Sequence, residues 1–264
     1  MSFDPQKATC LARAAGCSWP GTVHHITSTS STQDLARQAA SSGAPEGTTF
    51  VADSQTQGRG RQGRSWVAPP GSALLASVLL RPPLLAAQLP PLSLVTGLAL
   101  YDTLAPWVAG AVLRIKWPND LILQDRKLAG ILVEASLRGS HLESIVIGFG
   151  INLRDAPLPP EIAHQATSLQ RHAIVGAPLD RTVLLGQILA SLQQRIDTYV
   201  RHGLAPMLGA LRTADGAAGR KVLWQGQSTV ACGIDEEGRL LLRAPGGMIA
   251  ASAGEVTFVT EQTS

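Results

Sequence analysis

The sequence predicts an α+β fold: a mixed, largely antiparallel sheet with flanking helices, followed by a small β-barrel at the C-terminus. Three observations lead there. Four strand-like segments, "AVLRIKW", "LILQ", "KLAGILVEA" and "ESIVIGFGINL", lie between residues 111 and 153, separated only by "PND", "DR" and "LRGSH". Parallel strands need a crossover of about a dozen residues or more, so connections this short favour an antiparallel meander. Helical periodicity is clearest from Asp180 to His202, where Leu184, Leu185, Ile188, Leu192, Ile196 and Tyr199 recur on one face. From Gly219 onward the chain changes to short alternating segments broken by Gly and Asp, as in a small barrel. The predicted division is therefore 1–215 and 216–264.

In chain order, a short weakly helical start is followed by "STQDLARQAASSG" at 31–43. Its Ser31 and Asp34 stand at capping-box spacing and Gly43 supplies a stop, which predicts a helix. "TTFVADSQ" reads as a strand entering the loop "GRGRQGRSW", residues 58–66, and "GSALLASVLL" as the strand leaving it. A helix is expected from Leu92 to Leu104, ending before Pro106, ahead of the meander. Beyond the long helix, the barrel strands are "KVLWQG", "STVACGID", "RLLLRAP", "MIAASAG" and "EVTFV".

Composition narrows the function. The 264-residue chain carries 22 Lys+Arg against 19 Asp+Glu, a net charge of +3 that is too small for a general coating of nucleic acid. Cys10, Cys17 and Cys232 are odd in number and lack the paired short spacing of zinc or redox sites. Asp4, Lys7 and Arg13 interrupt the N-terminus, so no secretory signal is expected. The apolar region 84–100 falls short of the roughly 20 residues of a membrane span and contains Pro90 and Pro91. Together these features predict a soluble cytoplasmic protein with reduced cysteines.

The loop "GRGRQGRSW" satisfies the dinucleotide turn G-x-G-x-x-G and, but for Arg in place of Lys, the P-loop pattern. Both motifs require a helix directly after the loop, whose N-terminus holds phosphate. Pro69, Pro70, Gly71 and a strand follow instead, and no acidic residue occurs between Ser65 and Leu100. What remains is an anion clamp of Arg59, Arg61 and Arg64 on a compliant glycine backbone, with Arg59 and Arg61 projecting to one side of an extended loop. A solvated basic turn or an RGG-like nucleic-acid segment are the alternatives at this point. The mutual repulsion of three arginines predicts a loop that needs anions to order it.

A second basic constellation lies in "KWPND", with Lys116 at a strand end, and in "KLAGILVE", where Lys127 precedes Gly130. Gly130 removes a side chain where something can lie against the sheet. No metal cluster, paired helical carboxylates or nucleophile elbow G-x-S-x-G accompanies them, and His24 and His25 read as structural or surface residues. The chemistry suggested is electrostatic handling of anions.

Taken together, "STQDLA", "QTQGRGRQGRSW", "KWPNDL", "KLAGILVE" and "GFGIN" resemble the biotin protein ligases, and the C-terminal module resembles that family's small barrel. The resemblance implies a class II synthetase-like catalytic domain with an SH3-like barrel. It implies ATP-dependent formation of biotinyl-5'-AMP and transfer of biotin to a lysine of a biotin carboxyl carrier protein. A lipoate-type ligase is the alternative within the family. Ser31, Thr32, Gln33, Gln55, Gly58, Arg59, Gly60, Arg61, Lys127 and Gly130 are implied as biotin contacts. Arg61, Trp66, Lys116, Asn119, Lys127 and Asn152 are implied as ATP contacts. Lys127, Arg61 and Asp120 are the implied catalytic set, with Asp120 orienting or deprotonating the incoming lysine. Mg²⁺ is implied on the phosphates, with no metal site built from protein alone. Because "STQD" begins at residue 31, no DNA-binding winged helix and no DNA partner are expected; no membrane partner is expected, and a homodimer is possible.

Overall fold

A computed structural model of the chain describes residues 3–108, 110–174 and 179–259. Twelve strands and six helices are found among them, and the strands form two sheets. The first has the order β1-β2-β3-β7-β6-β5-β4. It comprises β1 (Val23–Thr29), β2 (Thr49–Gln55), β3 (Ala73–Leu80), β4 (Leu113–Lys116), β5 (Asp120–Leu123), β6 (Arg126–Arg138) and β7 (His141–Asn152). All neighbouring pairs are antiparallel except β1 and β2. That parallel pair is joined through helix α2 (Thr32–Ser41), a short βαβ unit that the sequence did not reveal. Strand β1 reads "VHHITST" and pairs on one side only, so it lacks the apolar alternation of an inner strand. His25 of β1 meets the carboxylate of Asp53 of β2 at 3.0 Å, which Arg181 approaches at 2.7 Å.

The expected meander is present. Its β6–β7 hairpin is tighter than the sequence suggested, with only Gly139 and Ser140 between the strands. The turn between β4 and β5 contains a cis peptide bond at Trp117–Pro118.

The two faces of this sheet differ. On one, Leu74, Ala76, Val78 and Leu80 of β3 join Ile145, Ile147, Phe149 and Ile151 of β7 in the main core. Helices α3 (Leu92–Leu104) and α5 (Arg181–His202) belong to that core, and α3 is apolar all round because it is buried among other elements. Helix α1 (Pro5–Ala14) packs on α5, where a Cβ on Gly186 would come within 2.7 Å of Leu11 Cβ. On the opposite face α2 sets its Ala36 against Leu79 and Val146 in a small second cluster. Much of the remainder of that face is floored by small residues: Ser77 pairs with Gly148, and Gly150 pairs with Gly130. With one face buried against helices, α2 and the glycine loop lie over the other, and the site described below is built along it.

Ser31 caps α2 as expected, accepting from Gln33 N at 3.3 Å. Asp34 does not complete a capping box; its carboxylate goes to Arg37 and Arg59. After a short α4 (Pro160–Ala163), α5 and α6 (Leu208–Ala214), the chain enters the second sheet, in the order β11-β10-β9-β8-β12. Its strands are β8 (Lys221–Trp224), β9 (Gln227–Ile234), β10 (Leu240–Ala244), β11 (Gly247–Ala251) and β12 (Val256–Phe258), all antiparallel. The C-terminal segment is tied to β4 and the turns around β5 by Gly216 N to Ile115 O (2.8 Å), Trp117 Nε1 to Gly238 O (3.0 Å) and Arg220 to Asp125 (2.6 Å).

Candidate functional site

The groove begins in a buried polar nest at the N-terminus of α2. Thr32 donates its amide (2.7 Å) and hydroxyl (3.0 Å) to Gln55 Oε1, and its hydroxyl also meets Ser77 Oγ at 2.8 Å. Gln33 donates Nε2 to Val146 O at 3.1 Å and its Oε1 lies 3.0 Å from Ser77 Oγ, so the two hydroxyl protons of Thr32 and Ser77 are shared among three contacts. Room for Gln33 exists because residue 148 is glycine; a Cβ there would collide with Gln33 Oε1. Ser77 had no role in the sequence reading, and Gly148 and Gly150 entered it only as letters of "GFGIN". Two signals pointed to them: a lone serine in a strand of apolar residues, and "GFG", whose alternation places both glycines on one face.

The glycine loop forms a hairpin over the middle of the groove. Gly60 N bonds Arg64 O (2.7 Å), Trp66 N bonds Gly58 O (2.9 Å), and Arg61–Gly63 make a 3-10 turn at the tip, with Gly63 at φ 74°. Gly58 is required by closeness, since a Cβ would stand 2.5 Å from Trp66 O. The Trp66 indole lies on the glycine floor, where a Cβ on Gly150 would come within 2.7 Å of its Cζ2 and one on Gly130 within 2.9 Å of its Cζ3. The gap that the sequence assigned to a ligand at Gly130 is thus occupied by the ring of Trp66, with Lys127 Nζ 5.6 Å from the ring centroid. Trp66 Nε1 is buried and has no hydrogen-bond partner among the described residues.

Of the five basic residues singled out in the sequence, Arg61, Arg64, Lys116 and Lys127 gather at the far end, whereas Arg59 pairs with carboxylates beside the polar nest. Arg59 pairs with Asp34 (2.8 Å) and Glu134 (3.3 Å), Arg64 with Glu255 (2.6 Å), and Lys127 with Asp120 (2.7 Å). Arg59 and Arg61 therefore do not act as one parallel pair: Arg61 donates instead to the amide oxygen of Asn119, at 3.2 Å. That amide is fixed because Asn119 Nδ2 donates to Ile131 O at 2.8 Å. Lys116 meets the ring of Phe258, its Nζ 5.2 Å from the centroid. Burial lowers the Lys116 pKa; Asp120 and Glu255 oppose that fall, while Lys127 and Arg64 add to it. Among the described residues no carboxylate forms an ion pair with Arg61 or Lys116. Arg61 is held by a neutral amide and Lys116 by an aromatic ring, with Asp120 and Glu255 acting on Lys116 from beyond ion-pair distance, so neither charge is taken up in a direct ion pair.

Asn152 lies on the groove face of β7, but its amide is committed to structure. Nδ2 donates to Thr167 O (3.1 Å) and Lys127 O (3.4 Å), holding the segment after β7 along β6, with Lys127 N to Gln165 O at 2.7 Å. Gly60 serves the loop backbone, and Ser31 serves as the α2 cap. Glu134 entered the sequence reading only as the last letter of "KLAGILVE", and Glu255 and Phe258 had no role in it; all three reach the site through folding.

The arrangement is a groove with a neutral polar end, a glycine and indole middle and a cationic end. It suits an elongated ligand with an uncharged hydrogen-bonding head and an anionic tail. A family profile described as the biotin/lipoate A/B protein ligase family matches residues 25–152. The bifunctional ligase/repressor BirA of Bacillus subtilis is 36% identical over 234 residues, spanning 83% of this chain and 68% of its own length. A biotin acetyl-CoA-carboxylase ligase of Paracoccus denitrificans is 37% identical over 186 residues, 66% of this chain and 74% of the relative. Among solved structures, the biotin protein ligase of Aquifex aeolicus in complex with biotin and ATP superposes with a TM-score of 0.76 at 28% identity, covering 89% of this chain and 97% of that one. With the groove, the ordered motifs and these similarities in agreement, the chain belongs to the biotin protein ligases of the biotin/lipoate A/B protein ligase family.

Proposed function

We propose that the chain joins biotin to ATP in this groove, forming biotinyl-5'-AMP, and passes biotin to a lysine of a carboxylase's biotin carrier. The observation that carries this reading is the coincidence of Arg61, Lys116 and Lys127 at one end of a groove whose other end is neutral and hydrogen-bonding. A ureido head presents donors and an acceptor, which suits Thr32, Gln33, Gln55 and Ser77. The carboxylate at the opposite end of biotin then meets the cations.

Joining a carboxylate to a triphosphate brings like charges together; each such pair costs about 4 kcal/mol at 4 Å with an effective dielectric of 20. Arg61, Lys116 and Lys127 offset that repulsion and stabilise the charge that grows as the carboxylate oxygen attacks the α-phosphorus and pyrophosphate leaves. Trp66 offers a flat face for the adenine and, lying over the groove, helps exclude water from the mixed anhydride. In the second step the carrier amine attacks the acyl carbon and AMP departs. That amine must shed a proton first, and Asp120 is the carboxylate at the cationic end suited to take it, once its pairing with Lys127 is shared with the ligand. Among the described residues no group of three or more His, Cys, Asp or Glu side chains is placed to hold a metal, so Mg²⁺ is assigned to the nucleotide as part of the substrate.

The division at 215/216 is part of the same proposal: 1–215 as the biotin/ATP-binding domain and 216–264 as an SH3-like barrel backing it, supported by the separate strand sets of the two sheets. Biotin-dependent exchange of pyrophosphate into ATP, run in parallel with lipoate, tests the reading. Lipoate lacks the ureido head and would leave Gln33 and Gln55 unmatched, so exchange with biotin alone is expected. Equal exchange with lipoate would overturn the assignment of the polar nest.

A further inference from the structure

We propose that Phe258 of the C-terminal sheet is a positioning residue for the adenylation step: its ring holds the Lys116 ammonium at the cationic end of the groove without cancelling its charge. This rests on the ligase reading for its purpose, but its physical content is independent of biotin chemistry. Lysine is a compact charge on a flexible four-carbon arm and needs a partner to keep one position. A carboxylate would order it but offset part of its charge, as Asp120 does for Lys127. An aromatic face attracts the ammonium through its quadrupole and leaves the net charge intact for a phosphate.

The ring is itself held in place. Phe258 pairs with Val222 across β12 and β8, two positions beyond the buried Val256. The Arg220 guanidinium lies over the same ring, 3.7 Å from its centroid, and is anchored by Asp125 at 2.6 Å. Asp125 sits in the β5–β6 turn, two residues before Lys127, so the ring connects Lys116 to the turn that carries the second lysine of the site. The charged groups acting on Lys116 come from every side: Asp120 from β5, Lys127 from β6, Arg64 from the glycine loop and Glu255 from the residue before β12. Burial already weakens its hold on a proton, and the ring is the neutral contact that favours the charged form.

The chain has four lysines, Lys7, Lys116, Lys127 and Lys221, so each ammonium can be followed by NMR with isotope-labelled lysine across a pH titration. In Phe258→Leu the Lys116 titration is expected about half a unit to one unit lower than in the wild type, and Phe258→Trp is expected to restore it. Calorimetry with MgATP alone should show about 3- to 30-fold weaker binding to Phe258→Leu and near-normal binding to Phe258→Trp. An unmoved Lys116 titration in Phe258→Leu overturns the proposal. So does a loss that Phe258→Trp fails to rescue, since the ring would then be only a core filler. A wild type that titrates and binds MgATP as described but performs no biotin-dependent exchange would sink the ligase reading while leaving the Phe258 contact standing.

Discussion

A Cβ on Gly148 would collide with Gln33 Oε1, so the missing side chain sets where the glutamine lies and where the polar nest opens. Gly148→Ala is expected to raise the KM for biotin about 10- to 100-fold, the cost of misplacing a buried hydrogen-bonding group, with KM for ATP within about twofold. An unchanged biotin KM would remove Gln33 from the ligand's surroundings. Lys127 offers one positive charge at the cationic end, and Lys127→Gln is expected to lower pyrophosphate exchange about 100- to 1,000-fold with the fold retained. Normal exchange would rule that role out. Asp120→Asn should spare adenylation more than transfer to the carrier, measured with preformed adenylate; equal losses would make Asp120 a partner of Lys127 and nothing more.

The hairpin of the glycine loop departs from the expectation that its arginines repel until a ligand arrives. The chain supplies anions itself, Asp34 and Glu134 for Arg59 and Glu255 for Arg64, and backbone bonds close the turn. Trypsin should therefore cut slowly after Arg59, Arg61 and Arg64 at low salt and faster near 1 M salt, where the Debye length falls to about 3 Å. Rapid cutting at low salt would show that these pairs do not hold the loop.

At the junction of α6 with the second sheet, Asp215 accepts from Ala217 N (2.8 Å) and Ala218 N (3.3 Å), while its Oδ2 is buried without a partner among the described residues. Burial raises its pKa, only partly countered by those amides. A carboxyl with a folded pKa above its unfolded value binds more protons in the folded protein between the two. Its stabilising contribution is thus present below the ordinary value of 3.8 and is lost as pH rises through the folded value. Asp215→Asn keeps an acceptor and removes the charge, so its melting temperature should exceed the wild type's by a few degrees at pH 8 and by less at pH 4. The same difference at both pH values would remove Asp215 titration from the account.

Both sheets share one hydrophobic core, in which Val222, Ala231, Leu240 and Leu242 of the second sheet join Leu94, Leu204 and Met207. Unfolding is accordingly expected as a single calorimetric transition, and two resolved transitions would show the sheets to be independent. Removal of residues 216–264 takes away Glu255, Phe258 and the Gly238 carbonyl that accepts from Trp117. Adenylation should then fall by at least about 100-fold, and full activity after truncation would contradict a catalytic role for the second sheet.

Elements whose causes lie within a few residues were legible before folding. Helix α3 occupies Leu92–Leu104 as expected, Ser31 caps α2, α5 runs over Arg181–His202 where the apolar periodicity put it, and the short connections impose the meander. The ordered motifs also announced the ligase chemistry. The edge strand β1 escaped notice because its polar residues carry no alternation and its order comes from pairing with β2. Nor could the partners of Arg59 be read, since Asp34 lies 25 residues away and Glu134 lies 75. Trp66 over the glycines of β6 and β7, and Phe258 beneath Lys116, are likewise products of folding. Backbone propensity and periodicity act over a turn or a strand, so the order of residues records them. Charge pairing and close packing act through space, across separations that the order of residues does not encode.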